Sequence, residues 1–435
     1  MDKVTIGYII LVISLVLVGL RVPIGVALGL VSFIGIAIIV NWTAAWGVVT
    51  AVPFHFVGDW NLTAVPMFLL MGYVASSTGI TEGLFRAMRL FLSRLPGGLA
   101  VASVGACAMF SAASGSSVAV AAAMARIATP EMLRYRYEIG LATGVIASAG
   151  TLGSLIPPSI LMVIYGYFAE VSIGKLFIAG VLPGIVSALM FSAMIIIRVK
   201  LDPQLAPSVD DHPTWAEKMQ SLGDVWPLPV LVLGVLLGIF IGIFTPTEGG
   251  AVGAALALVI AAVRRMLTWK AFREAVVQTL SGTASIFMVV IGTVLLTRFM
   301  ALSGVPDHLA STLMSFGASD LVILLMVAVL YLILGCFLDS IGLMLLTLPI
   351  VLPLVRGAGM DLIWFGIIVI KLLEIGLVTP PVGLNVYVIK GALGNAVTLS
   401  QVFRGVMWFV VADLVTLTII VAFPWLSLVL PSMMD

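Results

Sequence analysis

The chain has 435 residues, of which 62% are hydrophobic and 9% are charged, and its net charge is +1. Soluble globular proteins carry about 25% charged residues, so this chain lacks the polar side chains that would cover a water-soluble particle. The composition therefore excludes a soluble protein. It predicts an all-α protein that crosses the membrane many times, and the charge gives no indication of a nucleic-acid partner.

Apolar runs long enough to cross a bilayer, about 20 residues each, occur along the whole chain. The predicted spans are 4–20, 23–40, 60–79, 139–169, 174–198, 225–243, 246–263, 279–303, 362–390 and 402–430. Two further apolar regions, 97–133 and 319–356, are interrupted near their middles. The segment 80–97 has arginines on one side and Leu, Phe and Met on the other, which is typical of a helix lying in the membrane interface.

A polar connector at 201–224 divides the chain nearly in half. Several features of the first half recur 223 residues later: Pro157-Pro158 as Pro380-Pro381, Pro23 as Pro246, Pro130 as Pro353, and Ser116-Ser117 as Asp339-Ser340. Chance would not keep one offset over so much chain. The sequence therefore predicts two structural repeats, 1–200 and 225–435, in the weakly similar form that transporter repeats take.

Lysine and arginine set the orientation of the spans, because cytoplasmic loops carry an excess of them. With the N-terminus outside, the residues that fall inside are Arg21, Arg86, Arg89, Arg94, Arg134, Arg136, Arg198, Lys200, Lys218, Arg264, Arg265, Lys270, Arg273, Lys390 and Arg404. Lys3, Lys175 and Arg356 fall outside. The repeats are then inverted, and the interrupted regions become re-entrant hairpins, with 97–133 opening to the cytoplasm and 319–356 to the outside.

Two adjacent prolines interrupt one predicted span in each repeat, within 139–169 and within 362–390. Proline breaks a helix, and a broken helix at membrane depth is tolerated only where it is buried in protein or lines a cavity. Each break frees carbonyl groups, which suit a cation such as Na⁺, and exposes the N–H groups of the restarted half-helix, which suit an anion. The alternative is a pair of kinks that only shape helix packing.

The hairpin tips are the second candidate feature. The first tip carries ASGSSVA at 113–119 and the second carries FLDSIGL at 337–343. A contact between helices through small residues would explain the glycines and alanines. It does not explain Asp339, because an intramembrane carboxylate is costly unless it is paired or binds a cation.

An intramembrane enzyme is the main competing class. The sequence has no HExxH motif for a metal site, and no histidine or lysine is placed in a span near Ser116 to act as a base. We therefore expect no enzymatic activity and no cofactor. A passive anion channel is a further alternative, although a channel needs neither two helix breaks nor the symmetry of alternating access.

The stretches EIGLVTPPVGLN at 374–385 and FTPTEGGAVGA at 244–254 resemble signature stretches of the large membrane subunit of TRAP transporters, the tripartite ATP-independent periplasmic family. The resemblance implies Na⁺-coupled uptake of a carboxylate-bearing solute, such as a C4-dicarboxylate or sialic acid, across the bacterial inner membrane. It also implies an elevator-type fold, in which a transport domain slides against a scaffold. A stand-alone Na⁺-coupled symporter is the alternative.

The resemblance further implies two protein partners. A periplasmic binding protein would deliver the solute, and a small membrane subunit of four helices would complete the permease. Because the chain starts directly with its first large-subunit helix, we expect the small subunit to be a separate polypeptide. The N-terminus is expected in the periplasm.

By position, the resemblance puts Na⁺ at each hairpin tip together with the neighbouring helix break, and sodium is the only metal expected. The predicted Na⁺ ligands are Ser114, Gly115, Ser116, Ser117, Gly150, Thr151, Asp339, Ser340, Gly376 and Thr379. The predicted substrate-binding residues are Ser116, Pro158, Ser159, Arg298, Pro381 and Asn385. Arg298 lies a few residues inside a span, where it either clamps a substrate carboxylate or extends to the membrane surface.

Overall fold

The computed structural model describes residues 2–80, 82–207, 213–315 and 319–434, and each regular element in these ranges is helical. The α-helices of the first half are α1 (Lys3–Gly19), α2 (Ile24–Ile39), α3 (Trp42–Val57), α4 (Ala64–Ser77), α5 (Glu82–Leu92), α6 (Gly98–Ser114), α7 (Ser117–Arg134), α8 (Ile139–Leu155), α9 (Ile160–Ala169) and α10 (Ile173–Leu201). Those of the second half are α11 (Trp215–Val225), α12 (Pro227–Phe240), α13 (Pro246–Val263), α14 (Trp269–Ser303), α15 (Val305–Ser315), α16 (Asp320–Gly335), α17 (Ser340–Gly357), α18 (Leu362–Val378), α19 (Leu384–Leu393), α20 (Leu399–Ala422) and α21 (Trp425–Leu428). The predicted all-α fold class is confirmed.

The helices differ in whether they are long enough to span a bilayer. Among the described residues, α10, α13, α14, α17 and α20 are long and apolar enough by length and composition. Two bent pairs, α8 with α9 at 42° and α11 with α12 at 53°, bring the number to seven if each pair counts as one span. Apolar helices such as α1 and α6 have 17 residues, so each is about 25 Å long, slightly less than the ~30 Å hydrocarbon core.

Corresponding elements recur in the two halves in the same order. The helix pair α6 and α7 is followed by the broken pair α8 and α9 and then by the long helix α10. In the second half, α16 and α17 are followed by α18 and α19 and then by α20. The first residues of α7 and α17 are Ser117 and Ser340, and those of α8 and α18 are Ile139 and Leu362, a separation of 223 residues in both cases.

The helices pack into two groups. In the hairpin body, defined as α6–α10 and α16–α20, α8 packs against α6, α7 and α20, and α18 packs against α16, α17 and α10. In the frame, defined as α1, α2, α4, α12, α13 and α14, α2 packs against α14, and α13 packs against α4 and α12. The two groups touch where α4 meets α6 and where α14 meets α17. The candidate site residues on breaks and tips all belong to the hairpin body.

The sequence prediction missed several helical segments that are polar or interfacial. The long helix α14 begins at Trp269, ten residues before the predicted span, because the Thr268 hydroxyl caps it by accepting a hydrogen bond from the Ala271 N–H at 3.1 Å. Helix α3 was not predicted, and it is capped by the Asn41 side chain. Helix α11 lies inside the polar connector and is closed by a capping box between Thr214 and Glu217. Hydropathy overlooks such segments because caps and one apolar face suffice to form them.

Glycine allows close crossings within the hairpin body. A Cβ atom added at Gly144 of α8 would lie 2.6 Å from the carbonyl carbon of Gly405 of α20. A second crossing brings Gly376 of α18 against Gly335 of α16, where an added Cβ would lie 2.7 Å from the Gly335 Cα. Backbone atoms cannot yield as a flexible side chain can, so both crossings require glycine.

We therefore expect Gly144→Ala to destabilise the protein by about 1–3 kcal/mol, because the new methyl group overpacks a contact between two backbones. The measurement is thermal unfolding of the purified chain in detergent. Gly391→Ala is the matched control, since Gly391 is also helical and a Cβ there meets no atom within 4 Å. Equal melting temperatures for the two variants would contradict the close crossing.

Candidate functional site

The first hairpin tip is a tight turn between α6 and α7. Gly115 ends α6 with φ +60°, in the left-handed region that favours glycine, and Ser116 is extended. The Ser117 hydroxyl donates to the Thr151 carbonyl oxygen at 3.1 Å and lies 2.6 Å from the Ser154 Oγ. The tip is thereby fastened to the last turns of α8, just before the first helix break.

The main chain of the same tip also contacts the break itself. The Gly115 carbonyl oxygen accepts a hydrogen bond from the Ile160 N–H, the first residue of α9, at 3.5 Å. A Cβ at Gly115 would lie 2.8 Å from the Pro158 carbonyl oxygen. The hairpin tip therefore covers main-chain groups that the diproline break leaves without a helical partner.

The second hairpin tip is built around a helix cap. The Asp339 carboxylate accepts a hydrogen bond from the Gly342 N–H at 2.9 Å and so caps α17. Asp339 is exposed, so the expectation of a costly buried carboxylate that demands a cation is wrong in its premise. Capping and exposure together explain how an aspartate is tolerated there. The neighbouring Ser340 hydroxyl has no hydrogen-bond partner among the described residues.

One cavity of about 110 Å³ joins the two tips and the two broken helices. Its lining residues are Gly115, Ser116, Ser117, Val118, Ser154, Ile160, Leu161, Asp339, Ser340, Ile341, Leu377 and Leu384. Five predicted Na⁺ ligands, from Gly115 to Ser340, are in this set. The structure therefore brings together residues that are more than 200 positions apart in the sequence.

The predicted ligands that precede the breaks lie behind this cavity. The Thr151 hydroxyl donates to the Ser148 carbonyl oxygen at 2.7 Å, and the Thr379 hydroxyl donates to the Ile375 carbonyl oxygen at 2.6 Å. Gly150 packs against Ala121 of α7, and Gly376 lies in the crossing described above. Ser114, the last residue of α6, is buried. These residues support the tips and breaks, and they do not line the cavity.

The predicted substrate-binding residues fall into separate environments. The bonds Pro157-Pro158 and Pro380-Pro381 are both cis, and Pro381 is exposed. Ser159 is fully buried, and its hydroxyl has no partner among the described residues. Asn385 of α19 is also fully buried, and its Nδ2 donates to the Ala147 carbonyl oxygen of α8 at 3.0 Å. This bond ties the second broken helix to the first.

Arg298 lies away from the cavity between the tips. It is exposed on α14 of the frame, beside two adjoining clefts of about 770 and 830 Å³. Asp59 and Tyr167 line both clefts. Because Tyr167 belongs to α9 of the hairpin body, the clefts lie between the hairpin body and the frame.

The structure also shows residues that the sequence prediction missed. Ser154 of α8 lines the cavity and holds the Ser117 hydroxyl. Lys371, Glu374 and Asp413 form a fully buried ionic cluster. The sequence signal for the cluster was the rare charge in apolar spans, but only Lys371 and Glu374, three positions apart, suggested a pair.

A comparison with known families places this arrangement. Residues 11–426 match the family described as the tripartite ATP-independent periplasmic transporter, DctM component. The chain belongs to this family. The resemblance expected from the sequence is confirmed, and the family is one of membrane-spanning transporter permeases.

Several named relatives are similar over most of this DctM-family chain. The C4-dicarboxylate TRAP transporter large permease protein DctM of Pseudomonas aeruginosa is 35% identical, with 86% of each chain covered. The sialic acid TRAP transporter large permease protein SiaM of Vibrio cholerae is 32% identical, with 87% of each chain covered. The isethionate TRAP transporter permease protein DctMQ of Oleidesulfovibrio alaskensis is 33% identical over 93% of this chain and 63% of that relative. The named substrates thus differ among relatives.

A solved structure supports the fold of this DctM-family chain. The Alcanivorax borkumensis YdaH transporter, described as having an unusual topology, matches with a TM-score of 0.63. The match covers 89% of this chain and 90% of that one at 13% identity. At this identity the likeness concerns the fold alone, and it agrees with the predicted arrangement of helical hairpins and broken helices.

We expect Gly115→Ala to detach the first tip from the helix break, because its methyl group would press on the Pro158 carbonyl oxygen. The measurement is hydrogen–deuterium exchange of the segment 155–165, which should speed up. Gly359→Ala is the control for backbone strain, since Gly359 also has φ +71° but an added Cβ meets nothing within 4 Å. Unchanged exchange at 155–165 in the Gly115 variant would disprove the contact.

Proposed function

We propose that this chain is the large permease subunit of a Na⁺-coupled TRAP transporter that imports a carboxylate-bearing organic acid, either a C4-dicarboxylate or sialic acid. The observation that carries the proposal is the single cavity lined by both hairpin tips and both broken helices. Paired broken helices of two repeats are the usual place of a transporter's central site. The names of the relatives support the class of solute.

The chemistry of the cavity suits a cation and an anion side by side. Ser116 and Ser340 bring hydroxyl groups to it, and Asp339 brings a carboxylate. These oxygens, with main-chain carbonyls near the breaks, are the ligands that a hard cation such as Na⁺ prefers. The first residues of α9 and α19, Ile160 and Leu384, also line the cavity. Helix N-termini present N–H groups that favour a carboxylate.

In the proposed mechanism, Na⁺ binds at each tip and orders it, which completes the anion site between the tips and the half-helix N-termini. The hairpin body then moves relative to the frame in an elevator-type step and carries the solute across. The division of the helices into these two packing groups supports such a movement. Coupling arises because Na⁺ and solute each bind better to the completed site than to the incomplete one.

We further propose the partners and the location that the family implies. A periplasmic binding protein delivers the solute, and a small four-helix membrane subunit, supplied as a separate chain, completes the permease in the bacterial inner membrane. Most lysines and arginines of the loops fall on one side when the N-terminus is placed in the periplasm. That asymmetry supports the proposed orientation.

The role of Asp339 can be separated into charge and capping. Asp339→Asn keeps a good helix cap but removes the carboxylate, so we expect Na⁺-driven uptake to fall to background while the melting temperature stays near that of the wild type. Uptake is measured in proteoliposomes that contain the permease with its small subunit and binding protein. The matched control is Asp361→Asn, because Asp361 caps α18 outside the cavity.

Two results would contradict this part of the proposal. Wild-type uptake by the Asp339→Asn variant would remove Asp339 from the cation site. Wild-type uptake that does not respond to a Na⁺ gradient would disprove the coupling and leave a facilitator.

Arg298 is proposed to bind the solute carboxylate in the cleft between the hairpin body and the frame. We expect Arg298→Gln to lower kcat/KM for uptake about tenfold or more, since a hydrogen bond to a charged group contributes about 1.5–3 kcal/mol. Arg273→Gln is the control on the same helix, where an exposed arginine lies far from the cleft in sequence. If both variants take up solute equally well, Arg298 only extends to the membrane surface.

A further inference from the structure

A buried ionic cluster lies inside the hairpin body and has no part in the proposed transport site. Lys371 and Glu374 belong to α18 and Asp413 belongs to α20, and their side chains are 0% exposed. The Lys371 Nζ lies 2.6 Å from the Asp413 Oδ1 and 3.2 Å from the Glu374 Oε2. It also donates to the Ser187 Oγ of α10 at 3.1 Å. One ammonium group thus joins three helices.

The charges of this cluster do not balance. Two carboxylates face one ammonium, so the fully ionised cluster would carry one net negative charge in a place that water does not reach. Among the described residues, the Glu374 Oε1 and the Asp413 Oδ2 have no hydrogen-bond partner. A buried charge that is neither paired nor hydrogen-bonded is strongly unfavourable, and the group then tends to become neutral.

No neighbouring helix supplies the missing positive charge. Helix α18 packs against α8, α9, α10, α16, α17, α19, α20 and α21. Within the described residues, Lys371 is the cation within 4 Å of either carboxylate. On the α8 side, the Glu374 carboxyl faces the main chain of Leu155, which carries no charge.

The other ionisable side chains on those helices point to partners or positions elsewhere. Tyr165 of α9 donates to the Leu362 carbonyl oxygen, Tyr331 of α16 bonds to Thr347, Arg356 of α17 donates to the Ala169 carbonyl oxygen, Lys390 of α19 donates to the carbonyl oxygens of Gly394 and Val397, and Arg198 of α10 stacks over Trp408. Lys200 of α10, Asp320 of α16, Tyr387 of α19 and Arg404 of α20 are exposed, Lys175 is the third residue of α10, and Cys336, just after α16, donates to the Leu332 carbonyl oxygen. The imbalance is therefore local to the cluster.

We propose that the Lys371–Glu374–Asp413 cluster is a proton-binding site, in which one proton on the two carboxyl groups makes the cluster neutral. The proton comes from water and forms an O–H bond on a carboxyl oxygen, while Lys371 keeps its charge. A metal cation fits less well, because the Lys371 ammonium already occupies the position between the two carboxylates. The site does not depend on the Na⁺ coupling or the solute proposed above.

The decisive measurement is the infrared spectrum of the full-length protein in lipid at neutral pH. A buried protonated carboxyl group gives a carbonyl-stretch band that shifts in D₂O and disappears when the group loses its proton at high pH. Glu374→Gln and Asp413→Asn each leave Lys371 with one carboxylate, so each variant alone should abolish the band. Glu274→Gln is the control, because Glu274 is exposed on α14, and this variant should retain the band.

Two spectra would overturn the proposal. One is a wild-type spectrum without a protonated carboxyl band at neutral pH. The other is a band that persists in both Glu374→Gln and Asp413→Asn, which would place the proton on another residue.

Thermal stability gives a second reading that does not require every variant to fold. The folded wild type holds a proton that an unfolded carboxyl group has lost at neutral pH, so its melting temperature should fall as the pH rises through the loss of the band. Glu374→Gln should lack this fall, and Glu274→Gln should show it unchanged. Identical slopes in Glu374→Gln and the wild type would count against the site.

Discussion

Main-chain groups freed in the middle of a hydrophobic protein must find partners, and this requirement organises the structure. Each diproline pair ends one half-helix and starts another, at Pro157-Pro158 and at Pro380-Pro381. In the first repeat, the carbonyl oxygen of Gly115 and the hydroxyl of Ser117 bond to the two sides of the break. The hairpin tips are therefore needed to cover the breaks, and they create the shared cavity as they do so.

Contacts across the two repeats hold the broken helices in register with one another. The Asn385 side chain of α19 bonds to the main chain of α8, and Lys371 connects α18 with α10 and α20. Backbone crossings such as that of Gly144 and Gly405 bring the helices close enough for these bonds to form. Apolar packing alone would leave such helices free to slide, whereas buried polar bonds fix their relative positions.

Equivalent positions in the two repeats play different parts. Ser116 and Asp339 both precede the second helix of a hairpin, 223 residues apart. Asp339 caps its helix through its side chain, whereas Ser116 makes no such cap. The two tips thus share a backbone plan but differ in charge, and the proposed Na⁺ sites would differ in the same way. Arg298 in the frame has no place in this plan, since it lies beside the clefts between the two groups of helices.

The sequence by itself determined the membrane class, the two repeats, the helix breaks and the hairpin tips. These features rest on local chemistry, because apolar length, proline geometry and small turn residues act wherever they occur in the chain. Only the tertiary structure decided that Asp339 is an exposed cap, that Thr151 and Thr379 turn toward their own helices, and that Asp413 meets Lys371. Those outcomes depend on which group a distant helix places nearby, and the order of residues along one helix carries no record of its neighbour across the fold.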